Sequence, residues 1–132
     1  MAIVRQDNVD LKEFHDVSRD AITMSATTTS VIETGQRPFR VDAVELIYDP
    51  GQALSTSNYF AFNLRVGGRS CATFSLHDTA IVAGTPSVMV LVAESGQNHV
   101  LAAGEVLDMV STLTGTLTLT NLRVVVHGRY VG

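Results

Sequence analysis

Tyr59-Phe60-Ala61-Phe62-Asn63-Leu64-Arg65-Val66-Gly67-Gly68-Arg69-Ser70-Cys71-Ala72-Thr73-Phe74-Ser75-Leu76 reads as a β-hairpin. Side chains of an extended chain alternate between two faces, so Phe60, Phe62, Leu64 and Val66 share one face while Tyr59, Asn63 and Arg65 share the other. That is the pattern of a half-buried strand. Gly67-Gly68 supplies two positions free to take positive φ, which a two-residue turn between right-twisted strands requires. Beyond the turn Ala72, Phe74 and Leu76 return to one face.

Working outward from the hairpin, the same grammar repeats. Downstream, Thr79 to Gly84 is a small-residue connection, Val88 to Ala93 is a short apolar run, and Ser95-Gly96-Gln97-Asn98 turns the chain. From His99 to Val131, short apolar runs are broken by turn residues, as in Leu101 to Leu107, Thr114-Gly115-Thr116 and Leu122 to Val131, and these read as consecutive strands. Upstream, Phe39 to Tyr48 is a strand opened after Gly35-Gln36-Arg37-Pro38 and ended by Asp49-Pro50-Gly51. Its alternation is imperfect. Val41 and Ala43 fall on one face and Val44 and Leu46 on the other, which fits either a bulge or burial of both faces. Ala21 to Glu33, rich in Thr and Ser before Val31-Ile32, reads as one further strand.

Residues 1 to 20 differ, mixing many charges with isolated apolar residues. Asp10 can cap a helix with Glu13 three residues on, and Leu11, Phe14 and Val17 recur at i, i+3, so a short helix is predicted in this arm. A helix of one or two turns is unstable alone and needs a surface to lie on. The expected organisation is an amino-terminal arm over 1–20 and an all-β domain over 21–132. Strands at this spacing indicate an antiparallel β-sandwich, jelly-roll-like, with about eight strands.

Composition narrows the function classes. A chain of 132 residues, 45% hydrophobic and 17% charged, fits one domain with its own core. No apolar run reaches the roughly 18 residues of a membrane span. Arg5, Asp7 and Asp10 arrive before any apolar stretch long enough for a signal peptide, so no secretory leader is expected. A net charge of −4, with Lys12 the sole lysine, disfavours phosphate-driven nucleic-acid binding.

Candidate chemistry is sparse in the sequence. His15, His77, His99 and His127 stand far apart, with none of the pair spacings of a metal site, and Cys71 has no partner for a disulfide. Cys71 reads as a small apolar packer. His77 reads as capping a strand end, and His127 as alternating outward with Arg123 and Arg129, although a sandwich can bring distant histidines together. No serine sits in a nucleophile elbow, and Val66-Gly67-Gly68-Arg69 does not lead into a helix as a phosphate loop would. Asp42, Glu45, Glu94, Glu105 and Asp108 are read as solvated strand residues rather than a glycosidase-like pair. Trp is absent and the three tyrosines are dispersed, which weakens a sugar platform. The expectation is a protein without catalytic residues, cofactor or metal.

Four segments carry a resemblance. Arg37-Pro38-Phe39-Arg40-Val41 opening one strand, Ser57-Asn58-Tyr59-Phe60 opening another, Leu101-Ala102-Ala103-Gly104-Glu105-Val106-Leu107, and Val126-His127-Gly128-Arg129-Tyr130-Val131 together resemble the capsid decoration, or cement, proteins of tailed bacteriophages. The likeness spans roughly residues 35 to 131 and rests on turn glycines and strand residues. It implies a β-sandwich made in the host cytoplasm that binds the outer surface of an icosahedral head, clamps neighbouring major capsid protein subunits, and assembles as a homo-oligomer, a trimer being favoured. No nucleic acid, membrane or cofactor enters that role. Within it the arm is the expected capsid contact, with Leu11, Phe14 and Val17 as anchors and Arg5, Lys12 and Arg19 pairing to acidic surface. The alternative reading is a tail-associated receptor-binding or carbohydrate-binding sandwich module.

Overall fold

The structure, a computed structural model, describes residues 14–131. Ten strands form two antiparallel sheets packed as a sandwich: β1 (Phe14–Met24), β2 (Thr28–Thr34), β3 (Phe39–Ile47), β4 (Tyr59–Val66), β5 (Arg69–Ser75), β6 (Ser87–Val88), β7 (Val90–Leu91), β8 (Val100–Leu101), β9 (Val106–Thr114) and β10 (Leu119–Tyr130). One sheet, A, runs β1-β10-β3-β6, with β8 also pairing β3; the other, B, runs β2-β9-β4-β5-β7. The expected all-β sandwich is what forms.

The hairpin is built as its residues dictate. Val66 pairs Arg69 across Gly67 and Gly68, whose φ of 56° and 82° suit a two-residue turn that L side chains adopt rarely. Phe60, Phe62, Leu64, Val66, Ala72, Phe74 and Leu76 are all buried. They join Leu107 and Met109 of β9, Val44 and Leu46 of β3, and Val124 and Val126 of β10 in one core. Met89 is buried between β6 and β7, so the segment from Ser87 to Leu91 pairs first with sheet A and then with sheet B and closes one side of the sandwich.

Two features left open or read differently from the sequence are settled by register. In β3, His127 pairs Ala43 but Gly128 pairs Val41, which leaves Asp42 as an extra residue. The broken alternation is therefore a bulge, and it turns Val41, Val44 and Leu46 all to the core. The stretch from Ala21 to Glu33 is not one strand. The chain bends at Ser25, Ala26 and Thr27 and passes from sheet A into sheet B.

The amino-terminal reading needs correction as well. From Phe14 onward the chain is strand β1, paired to β10 from Phe14↔Arg129 to Met24↔Leu119, so the helix predicted through Phe14 and Val17 does not form there. Residues 14–20 of the expected arm belong to the sheet, and Val17, 9% exposed, lies in the core. The i, i+3 spacing of Phe14 and Val17 was outweighed by cross-strand pairing with a long partner. Arg5, Leu11, Lys12 and the Asp10 cap lie outside the described residues.

Ser111 of β9 is fully buried, and among the described residues its hydroxyl has no hydrogen-bond partner. An unmade buried hydrogen bond costs about 1–3 kcal/mol. Ser111→Ala is expected to raise stability by about 1 kcal/mol in urea unfolding, an unusual gain for a core substitution.

Candidate functional site

The two outer faces of the sandwich are chemically unlike. On sheet A, charged side chains are knitted across strands. Asp20 of β1 meets Arg123 of β10 at 3.0 Å, and Asp42 of β3 lies 3.7 Å from Arg129 and 4.0 Å from Arg40. Arg40 also donates to both carboxylate oxygens of Glu94, at 3.0 and 2.6 Å, and this bidentate bond holds the Glu94 carboxyl below its usual range. Between them sits His127, with Nε2 2.5 Å from Glu45 and Nδ1 3.0 Å from Asp16.

His127 does alternate outward with Arg123 and Arg129, as read from the sequence. The hydrogen bond to Glu45 raises its pKa, helped by Asp16 and opposed by partial burial. The other histidines are elsewhere. His77 follows the end of β5, its backbone N–H donating to the Ser75 hydroxyl and its ring 2.6 Å from Asp78. His99 is buried with Nε2 2.7 Å from the Val92 carbonyl. His15 stacks on Tyr130, whose ring also lies 4.3 Å from the Arg37 guanidinium carbon. Among the described residues no group of three or more His, Cys, Asp or Glu side chains is placed to hold a metal ion. Cys71 is buried as expected, and burial pushes its thiol up to about 11.

All five carboxylates considered in the sequence have an arginine or histidine partner. Besides Asp42, Glu45 and Glu94, Asp108 accepts two bonds from Arg65 at 2.9 and 2.8 Å, and Glu105 accepts two from Arg69 at 2.8 Å each. Arg69 also donates to the carbonyls of Gln97 and Val100, and Glu105 accepts the Ala102 N–H, so the hairpin turn is pinned to the loop before β9. These bonds, Arg69 first, hold the Glu105 carboxyl down to about 2. A depressed folded-state pKa means that this stabilisation is present above about pH 4.5 and is lost as pH falls toward 2. Glu105→Gln is expected to lower stability at pH 7 by about 1 kcal/mol, the scale of a partly exposed pair. Thermal melts from pH 5 to 2 should also show a shallower acid decline for this variant than for the parent.

Sheet B presents a different surface. Its outward positions include Ala61 and Asn63 of β4, Val110 and Thr112 of β9, and Thr73 and Ser75 of β5, all small or uncharged. The Arg65–Asp108 ion pair among them is closed upon itself. The small side chains leave a shallow trough of about 240 Å³ lined by Ala61 to Asn63, Thr73 to Ser75 and Thr112. Beside it a second cleft of about 350 Å³ shares Thr73, Phe74 and Ser75 and runs to Val88 and Val90. Those valines are 64% and 69% exposed, so the start of the short apolar run from Val88 to Ala93 forms an uncovered rim.

Of the arm residues expected to contact a partner, Val17 is committed to its own core and Arg19 donates to the carbonyl of Val31 in β2. The trough was invisible in the sequence, because Thr, Ser, Ala and Asn at outward positions carry no motif and become a surface only when three strands align them. No protein-family model, curated protein or solved structure matches the chain.

Proposed function

We propose that this chain is a virion structural protein that binds the outside of an icosahedral phage head and clamps neighbouring major capsid protein subunits, using the outer face of sheet B. One observation carries the reading: the charges of sheet A are paired with one another, whereas sheet B, apart from the closed Arg65–Asp108 pair, offers small neutral residues around Asn63, Thr73 and Thr112 beside the exposed Val88 and Val90. Such a face can meet a partner without stripping water from an unpaired charge. The resemblance of the strand-opening and turn segments to decoration proteins supplies the kind of partner. The segment before β1 is a second contact, through Arg5, Leu11 and Lys12.

Size argues for many copies. Four strands about 4.8 Å apart, each about eight residues long at about 3.3 Å per residue, give a footprint of about 500 Å². A lone specific complex buries about 800 Å² per partner. One copy therefore holds weakly, and a homo-oligomer, a trimer at a three-fold position, gains its hold through simultaneous attachment.

The test is sedimentation of the purified chain with undecorated heads of the phage that carries this gene. Saturable co-sedimentation at a fixed ratio to capsid subunits, with a rise in head melting temperature, is the expected result. A chain left in the supernatant at saturating concentration overturns the reading, and selective binding on a glycan array would favour the carbohydrate-binding alternative.

A further inference from the structure

We infer that Asp16, His127 and Glu45 form a pH-sensitive clasp that holds strand β1 against sheet A. The three side chains come from three adjacent strands on one outer face. Asp16 is the direct cross-strand partner of His127, and Glu45 stands diagonally, two residues from Ala43, the partner of His127 on β3.

The geometry specifies a protonation state. An ionised carboxylate only accepts hydrogen bonds, and a neutral imidazole carries a single N–H. With Nδ1 3.0 Å from Asp16 and Nε2 2.5 Å from Glu45, both contacts are hydrogen bonds only when the ring is doubly protonated. Loss of one proton sets a nitrogen lone pair against a carboxylate. The charged groups around the ring are Asp16 from β1, Glu45 from β3, and Arg123 and Arg129 on β10 itself. Both arginines are engaged, by Asp20 at 3.0 Å and by Asp42 at 3.7 Å. Among the described residues no other cation stands ready to replace the imidazolium. The side chain is 37% exposed, so it exchanges protons with solvent directly.

Strand order decides which element responds. Among the described residues, β3 is held by β10, β6 and β8, whereas β1 is hydrogen-bonded only to β10 and lies at the edge of its sheet. The pairing of β1 is also interrupted between Arg19 and Ile22, where Ala21 adopts φ 56°. Phe14 to Arg19 is thus a separate half-strand, tied down by Val17 in the core, by Arg19 to the Val31 carbonyl, and by the clasp. The pKa of His127 is raised, so the tie is complete below about pH 6.5 and is lost as pH rises through the raised value. The remaining proton stays on the shorter contact, toward Glu45, and Asp16 is the partner released.

Hydrogen exchange read by mass spectrometry tests the clasp. Exchange of the Phe14–Arg19 amides, corrected for intrinsic rates and referenced to β9 in the same sample, is expected to rise several-fold from pH 6 to pH 9. In His127→Gln, which has no titrating ring, that ratio is expected to be flat and to lie near the parent's high-pH level. A flat ratio in the parent, or an undiminished rise in the variant, overturns the inference. Should the variant fail to fold, ring ¹⁵N shifts of the parent decide: a doubly protonated His127 at pH 6 that titrates together with β1 opening is expected, and a ring already neutral at pH 6 overturns it.

Discussion

Phe60→Ala is expected to destabilise the domain by about 3–5 kcal/mol in urea unfolding, the largest single effect available in this core. Phe60 is fully buried, stands opposite Leu113 of β9, and its ring lies 6.0 Å from that of Phe62 at 20°. Truncation removes the transfer free energy of a ring and leaves a void between two sheets whose backbones are tied by ladders and cannot collapse inward. Domains of this size are stable by about 5–15 kcal/mol, so the loss reaches roughly a fifth or more of the total. Phe60→Leu, which keeps most of the volume, should recover over half of it. A loss below about 1 kcal/mol for the alanine variant would mean that the two sheets do not enclose this ring.

Thr73→Arg combined with Thr112→Arg is expected to abolish attachment to undecorated heads while leaving the fold intact. Both positions are exposed on sheet B and line the trough, so the new side chains project into solvent in the free protein. In a docked face each guanidinium would be cut off from water without a partner, at a cost of several kcal/mol. A loss of at least tenfold in apparent affinity per copy is the expected scale, multiplied where several copies bind together. Ser18→Arg on the outer face of sheet A serves as the control and should sediment with heads like the parent. Equal binding by all three proteins would remove sheet B from the attachment surface.

How much of this could be read in the chain beforehand depends on how local its cause is. The hairpin from Tyr59 to Leu76 was legible because alternation and Gly67-Gly68 act over a few residues. The bulge at Asp42 was legible only as a conflict in alternation, since a bulge is defined by the opposite strand and β10 lies some eighty residues away. Gly128 in the middle of β10 shows the same dependence. A side chain there would overlap the Arg40 carbonyl and the Phe39 ring, an approach that arises only after β10 pairs with β3.

The amino terminus was misread for a related reason. Three apolar residues at helical spacing are a weak signal, and the eight residue pairs that β10 forms with the eleven-residue β1 outweigh it. Of the candidate surface, the arginines looked scattered along the chain, yet the sheets bring Arg65 to Asp108, Arg69 to Glu105 and Arg40 to Glu94. The patch of small neutral residues on sheet B lies beside one of those pairs, Arg65–Asp108. It emerges from register, once the outward residues of β4, β5 and β9 stand side by side.

Hydroxyl-radical footprinting of the parent chain, free and bound to undecorated heads, tests the attachment face most directly because it reads side-chain exposure residue by residue. Protection of Val88, Val90, Val110 and the tyrosine of β4, Tyr59, together with Leu11 of the segment before β1, with Val125 and His127 on sheet A unchanged, is the expected pattern. Protection of Val125 and His127 with sheet B still fully reactive would contradict it.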